Sequence, residues 1–151
     1  MSAPRVAVVV GNPKPASRTL AAANLLADAL CDGLAEAKVD LVVDLAEWGP
    51  RLFDWSDAEV AGLVAQVAAA DLVVVATPTY KASYTGLLKL FLDRFGAGSI
   101  TGVTVPLMLG GSPAHSLAPE FALRPVLTEI SASSPAKGIY VVDSSHDDPA
   151  A

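Results

Sequence analysis

RVAVVVGNPKPASRTL, residues 5–20, runs from an almost unbroken apolar strand into a loop with two prolines, and then into the start of a helix. A strand that is apolar at every position, rather than at alternate ones, belongs to a parallel sheet covered on both faces. The same unit recurs along the chain. Further strands are expected at residues 39–44, 72–76, 103–109 and 138–142, and helices at 19–37, 86–95 and 116–130. Another helix starts near residue 56, where Ser56 and Glu59 have the spacing of a capping box and Trp55 is placed to staple against Val60. Five strands alternating with four helices predict an α/β doubly wound five-stranded parallel sheet of order 2-1-3-4-5, joined by right-handed crossovers.

Composition narrows the function. A chain of 151 residues with 52% hydrophobic and 17% charged residues can bury a substantial core. A net charge of −6 argues against nucleic acid as a partner, because such binding needs surplus Lys and Arg. Cys31 sits in an Ala- and Leu-rich helical run and reads as filler, and the spacing of Cys31, His115 and His146 builds no metal site. Residues 95–114 carry no charge, but five glycines and two prolines keep them from forming a spanning helix. The opening MSAPRVAVVVG lacks signal-peptide architecture, so a cytoplasmic protein with no membrane partner is expected. No repeat or linker divides the chain. Residues 1–143 read as a single domain, and 144–151 as a polar tail in which His146 is given no role.

In a sheet of this order, ligands bind beyond the carboxyl ends of the strands at the switch point. Strands one, three and four are neighbours there, and the loops after them are GNPKPASRT, TPTYKASYTG and GGSPAHS. In the first, Ser17, Arg18 and Thr19 stand at a helix start, where unpaired amides and the helix dipole favour an anion, and Lys14 adds charge. Ser17 reads equally well as a simple N-cap. The loop matches neither the Walker pattern nor the dinucleotide fingerprint. In the second, Thr77 before Pro78 leaves the strand on a stiff path, Thr79 is small, and Tyr80 and Tyr84 flank Lys81 and can line a flat ligand. In the third, Gly110 and Gly111 permit close backbone approach, while His115 reads either as a chemical group or as a capping residue. Asp71, Asp93 and Asp143 read as strand-end or helix-surface charges, and no serine has a nucleophile-elbow context. A planar, phosphorylated ligand without a metal or nucleophile points to FMN, with the cofactor carrying the chemistry and no catalytic side chain.

These stretches resemble the NAD(P)H-dependent FMN reductases of the flavodoxin-like fold, nearest to the flavin reductases of two-component alkanesulfonate-type monooxygenases. The likeness runs over residues 6–142 and is carried by GNPKPASRT, TPTYKASYTGLLKLFLDRF and GGSPAHSLAPEFALRPVL. It implies that Ser17, Arg18 and Thr19 bind the FMN phosphate, that Pro78, Thr79, Tyr80 and Lys81 contact the isoalloxazine, and that Gly110, Gly111 and Ser112 approach its pyrimidine edge. Asn12, Lys14 and His115 complete the expected cofactor-binding set. NADPH or NADH would stack on the exposed ring face. Backbone amides near the pyrimidine edge would stabilise the charge of the reduced ring. The family's further helix after the fifth strand is expected to be absent, since only DSSHDDPAA remains. Some members place a tyrosine or histidine at a π-bulge in the fourth helix. Phe121 stands there, so no bulge-dependent behaviour is expected.

Helix three, with Leu87, Leu88, Leu90, Phe91, Leu92 and Phe95 around its circumference, suggests a homodimer or homotetramer packed near the flavin. Three functions are weighed. One is an FMN reductase that supplies exchangeable reduced flavin to a monooxygenase. The second is a quinone- or azo-type reductase with bound FMN. The third is a flavodoxin-like electron carrier without NAD(P)H activity.

Overall fold

The computed structural model describes residues 2–146. The strands are β1 (Arg5–Val10), β2 (Lys38–Asp44), β3 (Leu72–Pro78), β4 (Ile100–Gly110), β5 (Ser131–Ser133) and β6 (Ile139–Val142). The α-helices are α1 (Arg18–Asp32), α2 (Ala58–Ala68), α3 (Gly86–Leu92), α4 (Arg124–Ile130) and a single turn, α5 (Asp143–His146). The sheet order is β2-β1-β3-β4-β5, with every pairing parallel, as the alternation of elements predicts. The outer edge of β4 is shared by two short strands. β5 pairs with its first half, and β6, the expected fifth strand, pairs Leu107 to Gly110 with residues 139–142.

The unbroken apolar strands are covered on both faces. Val6, Val8 and Val10 of β1 pack with Ala23 and Ala27 of α1, while Ala7 and Val9 face the layer of α2, α3 and α4. Each of these buried valines contributes about 1.5–3 kcal/mol on burial. The small α1 residues let that helix lie close to the sheet.

Several local expectations change. Asp57, not Ser56, caps α2: its carboxylate accepts from the amides of Glu59 (3.0 Å) and Val60 (3.1 Å). Ser56 instead donates to Asp54. Trp55 is 64% exposed beneath the Arg94 guanidinium, 4.9 Å away, rather than stapled to Val60. The six apolar residues of helix three find most of their cover within the chain. Leu88, Phe91, Leu92 and Phe95 are buried in a cluster with Leu45 and Leu52 of the 3-10 turns that follow β2. Those turns were not foreseen, and they supply the second layer that a sheet-plus-helix picture lacked.

Helix four is divided. A 3-10 turn (Pro113–His115) leads to a π-helical turn (Pro119–Leu123) and then to α4. Pro125 stands at the junction with α4. It has no N–H for the carbonyl of Phe121, four residues back, and its ring crowds that carbonyl. Just before it the ladder is widened, Arg124 N–H bonding to Pro119 O. A π-turn thus stands at Phe121 without any hydroxyl to favour it. After β6, residues 143–146 make one helical turn against α1, and residues 147–151 of the expected polar tail lie outside the described residues.

Candidate flavin site

Parallel strands end on one rim, and the three unusual loops are tied together there by backbone hydrogen bonds. Gly11 N–H donates to Ala76 O of β3 (2.8 Å), and Thr79 N–H donates to Leu109 O of β4 (2.7 Å). Thr85, the N-cap of α3, donates its hydroxyl to Gly11 O at 2.5 Å and accepts from Leu88 N–H. This draws α3 so near the first loop that a Cβ on Gly11 would collide with Leu88. Only glycine fits there.

The first loop encloses a cavity of about 370 Å³ with Pro78 and Tyr80 of the second. Asn12, Lys14, Ser17, Arg18, Thr19 and Asp143 line it as well. Ser17 is indeed the N-cap of α1, its Oγ accepting from Leu20 N–H at 3.2 Å. That bond uses a lone pair and leaves the hydroxyl proton to donate, so the capping and anion-binding readings hold together. Thr19 Oγ1 likewise accepts, from Asn12 Nδ2 at 3.0 Å, while Asn12 Oδ1 accepts from Lys14 N–H. Asn12 therefore shapes the loop from within. Ala16 is held at φ 50°, and its N–H bonds to the buried carboxylate of Asp44 (3.1 Å).

The second loop closes as a tight turn, Tyr80 and Ser83 exchanging both backbone bonds at 2.8 and 3.1 Å. Lys81 (φ 52°) and Ala82 (φ 64°) both occupy the left-handed region, the type I′ geometry usually given to Asn and Gly. Such conformations cost about 1–2 kcal/mol each in a non-glycine residue. The Tyr80 side chain, at the start of the turn, is 51% exposed.

A second cavity, about 290 Å³, lies on the other side of this turn, between Ala82 and the segment His115, Ser116, Leu117, Ala118 and Phe121. The two cavities thus flank the second loop. Thr79, Lys81, Gly110, Gly111 and Ser112 are not among the lining residues of either, although they share the rim. His115 and Ser17 do not meet, since each lines a different cavity. Among the described residues no cluster of His, Cys, Asp and Glu is arranged to hold a metal ion, and no helix is long and apolar enough to cross a membrane.

Tyr140 was missed by the sequence reading. Its hydroxyl donates to Ser112 O at 2.7 Å and fills the space a Cβ on Gly110 would need. It is the visible tether of a loop that begins with two glycines. Asp44, Thr85 and Asp143 were also missed as site residues. Asp44 and Asp143 stand at or just beyond the carboxyl end of a strand, and Thr85 is the N-cap of α3.

These residues suit a flavin phosphate. Thr79 Oγ1 is buried without a hydrogen-bond partner beside the third loop, open space surrounds Gly111 where a side chain would stand, and two hydroxyls and two cations converge in the first cavity.

Comparison with known proteins agrees. Residues 4–147 match the family described as NADPH-dependent FMN reductase. The chain is 33% identical over 149 residues to an FMN reductase (NADPH) of Escherichia coli strain K12, spanning 93% of this chain and 74% of that protein. It is 34% identical over 142 residues to the NADH-dependent FMN reductase SfnF of Pseudomonas putida, covering 90% and 76%. The crystal structure of the apo NADH:FMN oxidoreductase EmoB superposes with a TM-score of 0.82 at 33% identity, over 93% of this chain and 76% of that one. The fold is flavodoxin-like.

Proposed function

Since this chain belongs to the NADPH-dependent FMN reductase family, we propose that its first cavity holds the FMN phosphate and that the rim between the two cavities holds the ring. The observation that carries this assignment is the meeting of Lys14, Ser17, Arg18 and Thr19 with Pro78 and Tyr80 in one cavity. Bound FMN supplies the acceptor for the hydride of NADPH or NADH. Ser17 and Thr19 keep their hydroxyl protons for phosphate oxygens, because each hydroxyl oxygen accepts, from Leu20 N–H and Asn12 Nδ2 respectively. The amides of Arg18 and Thr19, ahead of the capped Leu20 amide, have no acceptor within α1 and add to the hold on the anion. Pro78 and the strained turn at Lys81 give the ring a stiff wall. Gly110, Gly111 and Ser112 bring backbone to its pyrimidine edge, and Tyr140 steadies them. His115 lines the ring's far side with Phe121. No side chain acts as acid or base.

Residues 1–143 work as one FMN-binding unit, in the cytoplasm, as a homo-oligomer. The oligomer reading is supported by Leu117 and Phe121, 62% and 78% exposed beside the second cavity. The likeness to reductases of two-component systems supports a flavin-dependent monooxygenase as recipient. NADPH and NADH oxidation by the purified protein, with and without added FMN, tests the function. Turnover that rises with free FMN is expected. Oxidation that proceeds only with a quinone or azo dye, or none at all, overturns it.

A further inference from the structure

We propose that Asp143 is a specificity-determining residue that opposes the FMN phosphate and keeps FMN an exchangeable substrate. The proposal rests on the assignment of the first cavity to that phosphate. β6 runs parallel to β4, so its carboxyl end delivers Asp143 to the same rim as the three loops, where it lines the cavity with Lys14, Ser17, Arg18 and Thr19. A second carboxylate, buried Asp44, lies under the same loop but is committed to the amide of Ala16 and to Ala46. Two basic side chains and a carboxylate therefore line the same space as the incoming dianion. A site built for permanent retention would exclude that charge, because like charges a few ångströms apart repel even in water. A reductase whose product must depart gains from it: the phosphate is recognised, yet released readily.

The effect is confined to the phosphate. Riboflavin, which has the same ring and ribityl chain, feels no such repulsion. Asp143→Asn removes the charge and keeps the size, and Asp143→Ser removes the charge with a smaller polar side chain. Dissociation constants for FMN and riboflavin, read by flavin fluorescence, and FMN release rates, read by stopped flow, are compared in the full chain.

Both variants are expected to bind FMN about three- to tenfold more tightly, mainly by slower release, with riboflavin within about twofold of the parent. The difference shrinks as salt is raised. Unchanged or weaker FMN binding overturns the proposal. So does an equal shift for riboflavin, which would mean that Asp143 bonds the ribityl chain or merely supports the fold. Ser17→Asp separates the two levels of the argument. If Ser17→Asp weakens FMN selectively while the Asp143 variants do nothing, the role of Asp143 alone fails; if Ser17→Asp spares FMN binding, the phosphate assignment itself fails.

Discussion

At Ser17 a single hydroxyl performs two tasks that a substitution can pull apart. Ser17→Asp keeps an N-cap acceptor for Leu20 N–H but sets a negative charge toward the cavity. The melting temperature should stay near the parent's, FMN affinity should fall by about tenfold or more, and riboflavin binding should hold. Fluorescence titration and a thermal melt check both halves. Tyr140 offers the complementary case. Tyr140→Phe removes only the hydroxyl that holds Ser112 O and leaves the ring beside Gly110. The third loop should loosen, with the FMN KM rising about three- to tenfold and the bound flavin's absorption band shifting, while the NADPH KM is unchanged. A lowered melting temperature with an unaltered flavin spectrum would reduce Tyr140 to a structural prop. Ser17 was legible in the sequence because helix starts select a short list of residues. Tyr140 was not, because nothing along the chain says that position 140 lies over position 110.

Among the elements, the π-turn and the α2 cap show how acid should act on the fold. Glu120, within the π-turn, accepts from Gly138 N–H and from Arg124 (2.8 Å), whose guanidinium also reaches Ser134 O. Those partners, Gly138 first, hold its carboxyl below the usual glutamate value of 4.5. Asp57, bonded to Arg51 and to the first amides of α2, is held at about 2 against an ordinary 3.8. Both are lowered in the folded state. Their contribution is therefore complete at neutral pH and is lost as pH falls through the ordinary carboxylate range toward the folded values. The urea midpoint should decline below about pH 4.5. In Glu120→Gln combined with Asp57→Asn it should start lower and decline less steeply. A double variant as acid-sensitive as the parent would show that other carboxylates dominate. Pro113, Pro119 and Pro125 each stand at the start of a separate helical turn within 113–130, a division that apolar periodicity alone does not report. Asp57 capping in place of Ser56 turned on which of two adjacent capping residues the preceding 3-10 turns presented, and hydrophobic periodicity does not report those turns.

For the whole molecule, the question is what covers Leu117 and Phe121. Both are large, exposed and next to the second cavity, where an uncovered pair of apolar side chains favours association. Sedimentation at micromolar concentration should show a dimer or tetramer, and Phe121→Glu should shift it toward monomer while the circular dichroism spectrum is retained. A stable monomer in the parent would overturn the oligomer reading. Helix three no longer bears on that question, because the 3-10 turns after β2 already bury most of it.

What the sequence determined by itself was the sheet: five apolar runs separated by helical periods admit few other layers, and their order places three polar, glycine- and proline-rich loops on one rim. Burial and periodicity act locally, so they are written locally. The tertiary structure alone decided which groups meet on that rim, including Asp143 against the basic loop, Tyr140 over Gly110 and Thr85 on Gly11. Those meetings depend on how neighbouring strands stand in register and how closely helices approach the sheet, and both are set by packing between residues distant in the chain.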